Sequence, residues 1–556
     1  MKAEGFDFRV GLEKFKSRLV IKSRRKLIII LAAISAVVTF IATYFCLMPI
    51  NPASSGFRFY LIFMLLLWSA PLVFKPEKSG LRPKIKSGWG VPLIAALFLI
   101  GLCIVLAIAV SPLFMAKEYR NLITVGEDGA FDAAVENYDT MQIPVVDRDL
   151  AAKLGDKKLG EDNYGSQFTV SNYNMIEYGG SLYWIAPIEY RGFFQWTSKA
   201  SSPGYVKINA LDQSDVEIVR YDMNYVDSAY LWDDLSRRIY FSNMFRYREI
   251  AAPHLELDDA GRPMFVQTVV SKRFAFFGGE DTSGVIVTDP SDGKSAYYDA
   301  EDAPEWVNRV QPVEVVSAQL DRWGRYVHGF FNSVFAKKDA LELSTGINYV
   351  YSNGRMYLQT GMTSVGSDES IVGVVMVDVR TKDTAFYRVA GATEYAAAQS
   401  AIGAEQAQRF TASDPIMINF DGVPTYFLML KDDEGLVKRY AYVNVEDYRI
   451  VSVNADRGAA LAGYETLVSP ESAMTNLTLT VTQIKSAVID GNTVYYILFA
   501  KPEGSDLPDD FGTTYFKAPV SLTTALIFLN EGDTVSVDLL KGSSENLITR
   551  LEPLAA

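Results

Sequence analysis

Residues 27–50, "LIIILAAISAVVTFIATYFCLMPI", run for 24 residues without a charge. A helix needs about 20 apolar residues to cross roughly 30 Å of hydrocarbon, so this run ties the chain to a membrane. Residues 89–114, "WGVPLIAALFLIGLCIVLAIAVSPLF", form a second run of that length. The run between them, 59–74, is shorter and contains Pro71, so its length alone fits either a crossing or a re-entrant segment. Charge decides, because cytoplasmic flanks collect Lys and Arg. Nine basic residues precede Leu27, and Lys75, Lys78, Arg82, Lys84 and Lys86 follow the middle run, whereas the 51–58 loop holds only Arg58. The expectation is three spans with a cytoplasmic N-terminus and residues 116–556 outside the cytoplasm. The first run's length and the apolar runs behind it weigh against a cleaved signal peptide.

The charge balance splits at the same place. Residues 1–115 hold 15 Lys and Arg against 4 Asp and Glu, leaving 38 against 62 for the remainder. Two parts of opposite sign suit two environments. The basic tail serves orientation first, and the alternative is an amphipathic helix lying on anionic lipid. Both cysteines, Cys46 and Cys103, lie in the expected spans, so no disulfide framework or CxxC metal site exists beyond them.

Beyond the spans one pattern recurs. "GYVKIN" (204–209), "GVIVTD" (284–289), "GVVMVD" (373–378) and "RYAYVN" (439–444) are β-rich runs closed by Asn or Asp, residues that favour turns. Upstream of each lies a hairpin pattern with a turn glycine and an aromatic three or four residues later: Gly180 and Tyr183, Gly261 and Phe265, Gly354 and Tyr357, Gly422 and Tyr426. Tight hairpins need positive φ, which glycine adopts at low steric cost. From turn glycine to closing residue the spacing is 29, 28, 24 and 22 residues. Ahead of the hairpins, at 144–161, 228–241, 313–336 and 392–410, the apolar period lengthens to about 3.6. The expected unit is one helix and a four-stranded antiparallel meander, the helix covering the sheet's apolar face.

This unit, with its "V-x-V-D" closing, resembles the PepSY family of small exported domains and, more loosely, the cystatin-like helix-on-sheet shape, over about residues 140–460. Some PepSY domains are propeptide inhibitors of peptidases. No peptidase accompanies the repeats here, so the resemblance implies an envelope domain rather than an inhibitor. Residues 477–540 hold strand patterns and little helix, and "NEGDTVSVDLL" looks like the last turn and strand of an OB-like or SH3-like barrel. Nine acidic residues after position 500 outnumber Lys501, Lys517, Lys541 and Arg550, so nucleic acid is not an expected partner.

Chemistry is sparse. His254 and His328 are the only histidines, and HExxH, GxSxG and Walker patterns are absent. Asp233–Asp234, Asp258–Asp259, Asp432–Asp433 and Asp509–Asp510 precede glycine or open helices, which makes them turn formers and caps. A glycosidase would need two such carboxylates facing each other across a cleft. "DPSDGKSAYYDAED" lacks the spacing of a calcium loop. No catalytic residue, metal site or cofactor is expected. The candidate interaction loops are Gly279, Glu280 and Asp281 in the second unit, Gly366, Asp368 and Glu369 in the third, and the aromatic cluster Phe193, Phe194 and Trp196.

The sequence thus predicts an α+β chain with a three-helix transmembrane anchor, four helix-plus-antiparallel-meander repeats and a small C-terminal β-barrel. The segments are 1–26 basic tail, 27–115 spans, 116–222, 223–310, 311–390 and 391–468 the four repeats, and 469–556 the barrel. The functional expectation is a membrane-anchored extracytoplasmic scaffold or adaptor. Its partners would be lipid through the spans and exported proteins or cell-wall components, with a homo-oligomer open. The alternatives are a carboxylate-dependent hydrolase acting on envelope polymers, which demands an acidic cleft between units, and a transmembrane sensor.

Overall fold

The computed structural model describes residues 24–70, 90–131, 135, 143–198, 201–246, 249–352, 354–366, 370–405, 409–468, 474–489, 492–502, 505, 507, 511–520, 522–540 and 548–554. Helix α1, Arg24–Phe40, continues as the π-helical turn Ile41–Phe45. After a short loop, the Ser54 hydroxyl accepts a bond from the Phe57 amide and caps α2, Ser55–Ser69. Helix α2 returns along α1: the Thr39 and Tyr60 hydroxyls are 2.8 Å apart, and Trp68 Nε1 donates to Ser35 Oγ at 3.1 Å. Helix α3, Gly90–Ala109, packs on α2 and leads into α4, Pro112–Arg120.

Four sheets follow one plan. In the first, Phe168–Val170 and Asn174–Tyr178 both pair with Ser181–Tyr190, followed by Ser202–Asn209 and Val216–Met223. In the second, Glu249–Ile250 and His254–Leu257 both pair with Pro263–Phe274, followed by Gly278–Thr288 and Ser295–Asp299. The third is Leu341–Ser352, Arg355–Ser364, Ser370–Asp378 and Thr384–Ala392. In the fourth, Thr411–Ala412 and Ile416–Phe420 pair with Val423–Lys431, followed by Val437–Asn444 and Val451–Asn454. Preceding them in turn are helices α5 Arg148–Glu161, α7 Leu235–Ser242, α8 Val313–Arg325 and α9 Glu394–Ala404; α6 is the short Phe193–Ser198.

One clamp recurs in all four. The residue after the closing Asn or Asp offers its carbonyl to the segment leading into that unit's helix. Val145 and Val146 donate to Ala210, Asn224 and Tyr225 to Pro290, Val310 and Gln311 to Val379, and Ala392 to Val445, all between 2.7 and 3.1 Å. In the fourth unit the clamp leaves no room for a side chain at Gly391, where a Cβ would lie 2.2 Å from the Val445 carbonyl oxygen. We expect Gly391→Ala to cost about 1–3 kcal/mol as an overpacked contact with unyielding backbone, read from the urea midpoint.

The fold class expected from the sequence is corrected in several respects. The chain is sheet-dominated, and its helices are subsidiary; α7 has only 8 residues. The helices do not each cover their own sheet. One core cluster joins Leu150, Ile188 and Val206 of the first unit, Leu358 and Val377 of the third, and Phe427 and Tyr442 of the fourth, so the sheets cover one another. A strand ahead of the first unit, Val125–Ala130, pairs in parallel with Thr384–Ala392 of the third. Among the described residues two helical stretches, Lys26–Phe45 and Gly90–Ala109, are long and apolar enough to cross a membrane. Helix α2 has 15 residues, about 22 Å at 1.5 Å per residue, short of a full hydrocarbon thickness.

The C-terminal sheet is an open half-barrel rather than a closed one. Its central 16-residue strand, Met474–Ile489, pairs with Thr534–Leu540 along one half and with Asn492–Phe499 along the other. The order ends on Phe516–Pro519 and Ile548–Pro553, and among the described residues no ladder joins those edges.

Candidate active site

The end of the Ser181–Tyr190 strand meets the loop that leads to α7. Glu189 is almost fully buried there; its Oε2 accepts the Ser228 amide at 2.8 Å, and the Ser228 hydroxyl accepts the Tyr190 amide at 2.7 Å. The other oxygen, Oε1, is buried without a hydrogen-bond partner. Asp227, half-buried on the same loop, accepts the Ser236 hydroxyl at 3.2 Å. Asp234 caps α7 by accepting the Arg237 amide at 2.7 Å. Asp233, beside it, is half-buried, and its amide donates to the Tyr230 carbonyl at 3.2 Å.

Three carboxylates crowded at the edge of the core cannot all ionise easily. Burial, reinforced by Glu189 and Asp234, pushes the Asp227 carboxyl up to about 7 against the opposing Ser236 hydrogen bond. Burial raises Glu189 against the bonds from Ser228, and it raises Asp234 against the Arg237 bond and charge. Burial, with Asp233 and Glu189, lifts the Tyr190 phenol to about 12. Burial and mutual repulsion thus favour a retained proton on this cluster, most of all on Asp227.

The same two chain segments build an aromatic wall beside it. The Phe193 and Tyr230 rings meet edge-on at 5.3 Å, Trp196 lies 5.6 Å from Tyr230, and Phe193 lies 5.6 Å from Trp196. Phe194 projects from the wall into solvent. The aromatic cluster expected from the sequence is thus one surface, joined by Tyr230. What sequence reasoning missed are Glu189 and Asp227, which stand 38 residues apart and meet only through the first unit's fold.

A cavity of about 440 Å³ opens where the hairpin ends of the first, second and third units meet, lined by Glu177, Asp258, Asp259, Glu305, Trp306, Arg355, Asp378 and Arg380. Two of its carboxylates are committed to structure. Asp258 accepts the amides of Ala260 and Arg262 and pairs with the Arg262 guanidinium at 2.8 Å, while Asp378 accepts the amides of Arg380 and Thr381 and pairs with Arg355 at 3.1 Å. Asp259 and Glu305 are exposed.

Among the described residues, Glu280 and Asp281 of the sequence candidates are taken up in ion pairs. Glu280 accepts from Arg322 at 3.1 Å, and Asp281 from Arg273, Gln319 and Lys382 at 3.0, 3.2 and 2.7 Å. Burial works to raise the Asp281 carboxyl, yet Lys382, Gln319 and Arg273 hold it below the usual range. It is therefore a tie between the second and third units rather than a free loop. Gly279 and Gly366 supply positive φ, at 72° and 95°, near the corresponding hairpin turns, and Asp368 and Glu369 lie outside the described residues. His254 is buried 2.9 Å from Glu256, and burial and Arg309 lower its pKa against that carboxylate, so it stays neutral in the core. His328 pairs with Asp339 at 2.9 Å on the surface. Among the described residues no group of three His, Cys, Asp or Glu could hold a metal ion.

No family model matches the chain, and no curated protein matches it. Among solved structures, a GH32 beta-fructofuranosidase of Bombyx mori is similar at 11% identity and TM-score 0.19, with 74% of this chain and 69% of that one covered. A levansucrase variant of B. megaterium is similar at 8% identity and TM-score 0.19, covering 77% and 95%. An alpha-L-arabinanase of Cellvibrio cellulosa is similar at 9% identity and TM-score 0.15, covering 69% and 95%. The expectation of a scaffold or adaptor is corrected here. The three matched structures are named as enzymes and none as a scaffold, which is said of those proteins alone. TM-scores this low carry neither a fold nor an activity to this chain.

Proposed function

We propose that this protein is a membrane-anchored extracytoplasmic hydrolase that cleaves glycosidic bonds in envelope polymers at the Asp227 cluster. The observation that carries the reading is the meeting of Glu189, half-buried Asp227 and Asp234 at one strand end, next to the wall of Phe193, Trp196 and Tyr230, with burial pushing the Asp227 carboxyl up to about 7. Glycoside hydrolysis pairs a carboxylic acid whose pKa is raised with a second carboxylate that is ionised. Asp227 gives its proton to the leaving oxygen, and Asp233 takes one from the attacking water, so the overall reaction consumes one water and the enzyme regains its starting state by proton exchange. Aromatic faces beside such a pair suit the apolar face of a sugar ring. Asp234 and Glu189 hold the loop and keep Asp227 protonated.

The anchor belongs to the same reading. The return of α2 along α1, the nine basic residues before Leu27 and the five between residues 75 and 86, against Arg58 alone in the opposite loop, support three crossings with the N-terminus in the cytoplasm. The test is release of reducing ends from isolated envelope polysaccharides by the purified full-length chain in detergent. Release that follows the protonated form of a group with a midpoint near pH 7 is expected; no release from any wall or capsule glycan would sink the reading.

A further inference from the structure

Three elements of the exported part touch the outer ends of the anchoring helices, and beside each contact the chain exposes large apolar side chains. At the end of the first span, Trp232 meets the Tyr44 ring at 5.2 Å, Arg237 stacks over Tyr44 at 4.6 Å and donates to its carbonyl, and Tyr240 donates to the Met48 carbonyl at 2.8 Å. Next to them Leu231 and Trp232 are 56% and 61% exposed. At the start of α2, Arg58 donates to the Phe276 carbonyl at 2.9 Å and stacks over the Phe277 ring at 4.1 Å, and Phe276 is 53% exposed. Helix α4 leaves α3 directly and packs on α8 and on Gly329–Phe331. There Phe331 and Phe335 stack in parallel at 6.4 Å and are 65% and 77% exposed.

Two of these apolar tips sit in backbone that L residues seldom adopt, Leu231 at φ 56° and Phe276 at φ 69°. Lys337, in the same region at φ 52°, turns the chain just after Phe335 and is exposed with Lys338. A solvent-facing tip has no use for strain that holds an apolar side chain outward.

We propose that this rim, Leu231, Trp232, Phe276, Phe331 and Phe335, is a lipid-docking surface seated in the interfacial region of the outer leaflet. Continuity with the span ends fixes the occupant, since a surface joined to Tyr44, Arg58 and α4 lies at the depth where the helices leave the hydrocarbon. Tryptophan is favoured at that depth, and Lys337 and Lys338 meet lipid phosphates. The proposal rests on the membrane reading above. It also sets Asp227, four residues before Leu231, within one loop of the bilayer surface.

The test uses the full-length chain in nanodiscs containing lipids spin-labelled near the headgroup. Cys46 and Cys103 are replaced by serine, and a fluorophore is placed on a single cysteine at Phe335, Phe276, Leu97 or Asp292. Leu97 lies inside α3 and reports the anchor, and exposed Asp292 reports the aqueous face. Quenching at Phe335 and Phe276 at least about twofold above that at Asp292 is expected, as for apolar groups held in the headgroup region. Quenching at Leu97 with Phe335 and Phe276 no different from Asp292 overturns the rim alone. No quenching at Leu97 overturns the membrane reading beneath it.

Discussion

Asp227→Asn is expected to lower turnover by roughly 100- to 10,000-fold, the range for losing a general acid, while making the protein more stable at pH 8. The two effects share one cause. The folded chain holds the Asp227 proton up to about pH 7, whereas an unfolded aspartate releases it near 3.8. Because the folded pKa is the higher one, this group's contribution to stability is full below about pH 3.8 and is lost as pH rises through 7. At pH 8 the native protein therefore carries a half-buried charge facing Glu189, at a cost on the order of 2–4 kcal/mol. Asparagine still accepts from Ser236 and carries no charge at any pH.

Denaturation at pH 5 and pH 8 checks the stability half: the variant's advantage over the native chain should be small at the lower pH, where only part of the Asp227 contribution has been lost, and should reach its full size at the higher. The activity half is a loss of turnover at every pH, with the alkaline limb of the native profile falling near 7. That limb belongs to Asp227, whose second charge beside buried Glu189 is disfavoured. A variant that gains stability at pH 8 yet keeps its turnover would leave Asp227 a strained structural residue and remove it from the chemistry.

Much of the sheet architecture is visible in short stretches because its signals are local. The hairpin at Gly354 pairs Ser352 with Arg355 and Tyr351 with Met356, and the glycine takes φ 76°, the conformation its turn demands. Asp234 and Thr393 cap their helices as acidic and hydroxyl residues before apolar periods do. Other elements are set by tertiary pairing instead. "VGEDGA" (125–130) has a composition that disfavours strands, and only its partner Thr384–Ala392 makes it one. Two-residue strands such as Thr411–Ala412 are too short to show a period.

The site is less legible than the fold for the same reason. Phe193 and Trp196 stand out as a local aromatic cluster close to Glu189, but their partner Tyr230 and the carboxylate Asp227 come from a distant stretch. Burial, which gives Asp227 its proton, is a property of the assembled units. Glu280 and Asp281 mislead in the opposite direction. Their Gly-acid-Ser composition reads as an open turn, yet Lys382 and Gln319, contributed by the next unit's turn and helix, consume the Asp281 charge and hydrogen bonds.

Arg380→Ala is expected to be the most destabilising substitution at the junction of the units. The Arg380 guanidinium donates to the carbonyls of Pro304, Val307 and Ala303 at 2.8, 2.7 and 2.6 Å, closing the segment that carries the chain from the second unit to the third. That segment also donates from Val310 and Gln311 to the Val379 carbonyl, and Val307 and Val310 pack against Val266, Val285 and Val287. Truncation removes three charge-assisted bonds and leaves carbonyls partly out of water, which costs on the order of 3–5 kcal/mol. Lysine at this position places one ammonium where a planar fork serves three acceptors, so Arg380→Lys should recover less than half of the loss. Urea denaturation measures both, and hydrogen exchange at Val307, Val310 and Gln311 should accelerate while Leu479 and Val537 in the C-terminal sheet keep their protection. The same variant separates the two acidic regions, because Arg380 lines the 440 Å³ cavity and takes no part in the Asp227 network. Under conditions where the variant remains folded, turnover should persist; loss of turnover with an intact Asp227 pH profile would move the chemistry to the cavity and its exposed carboxylates, Asp259 and Glu305.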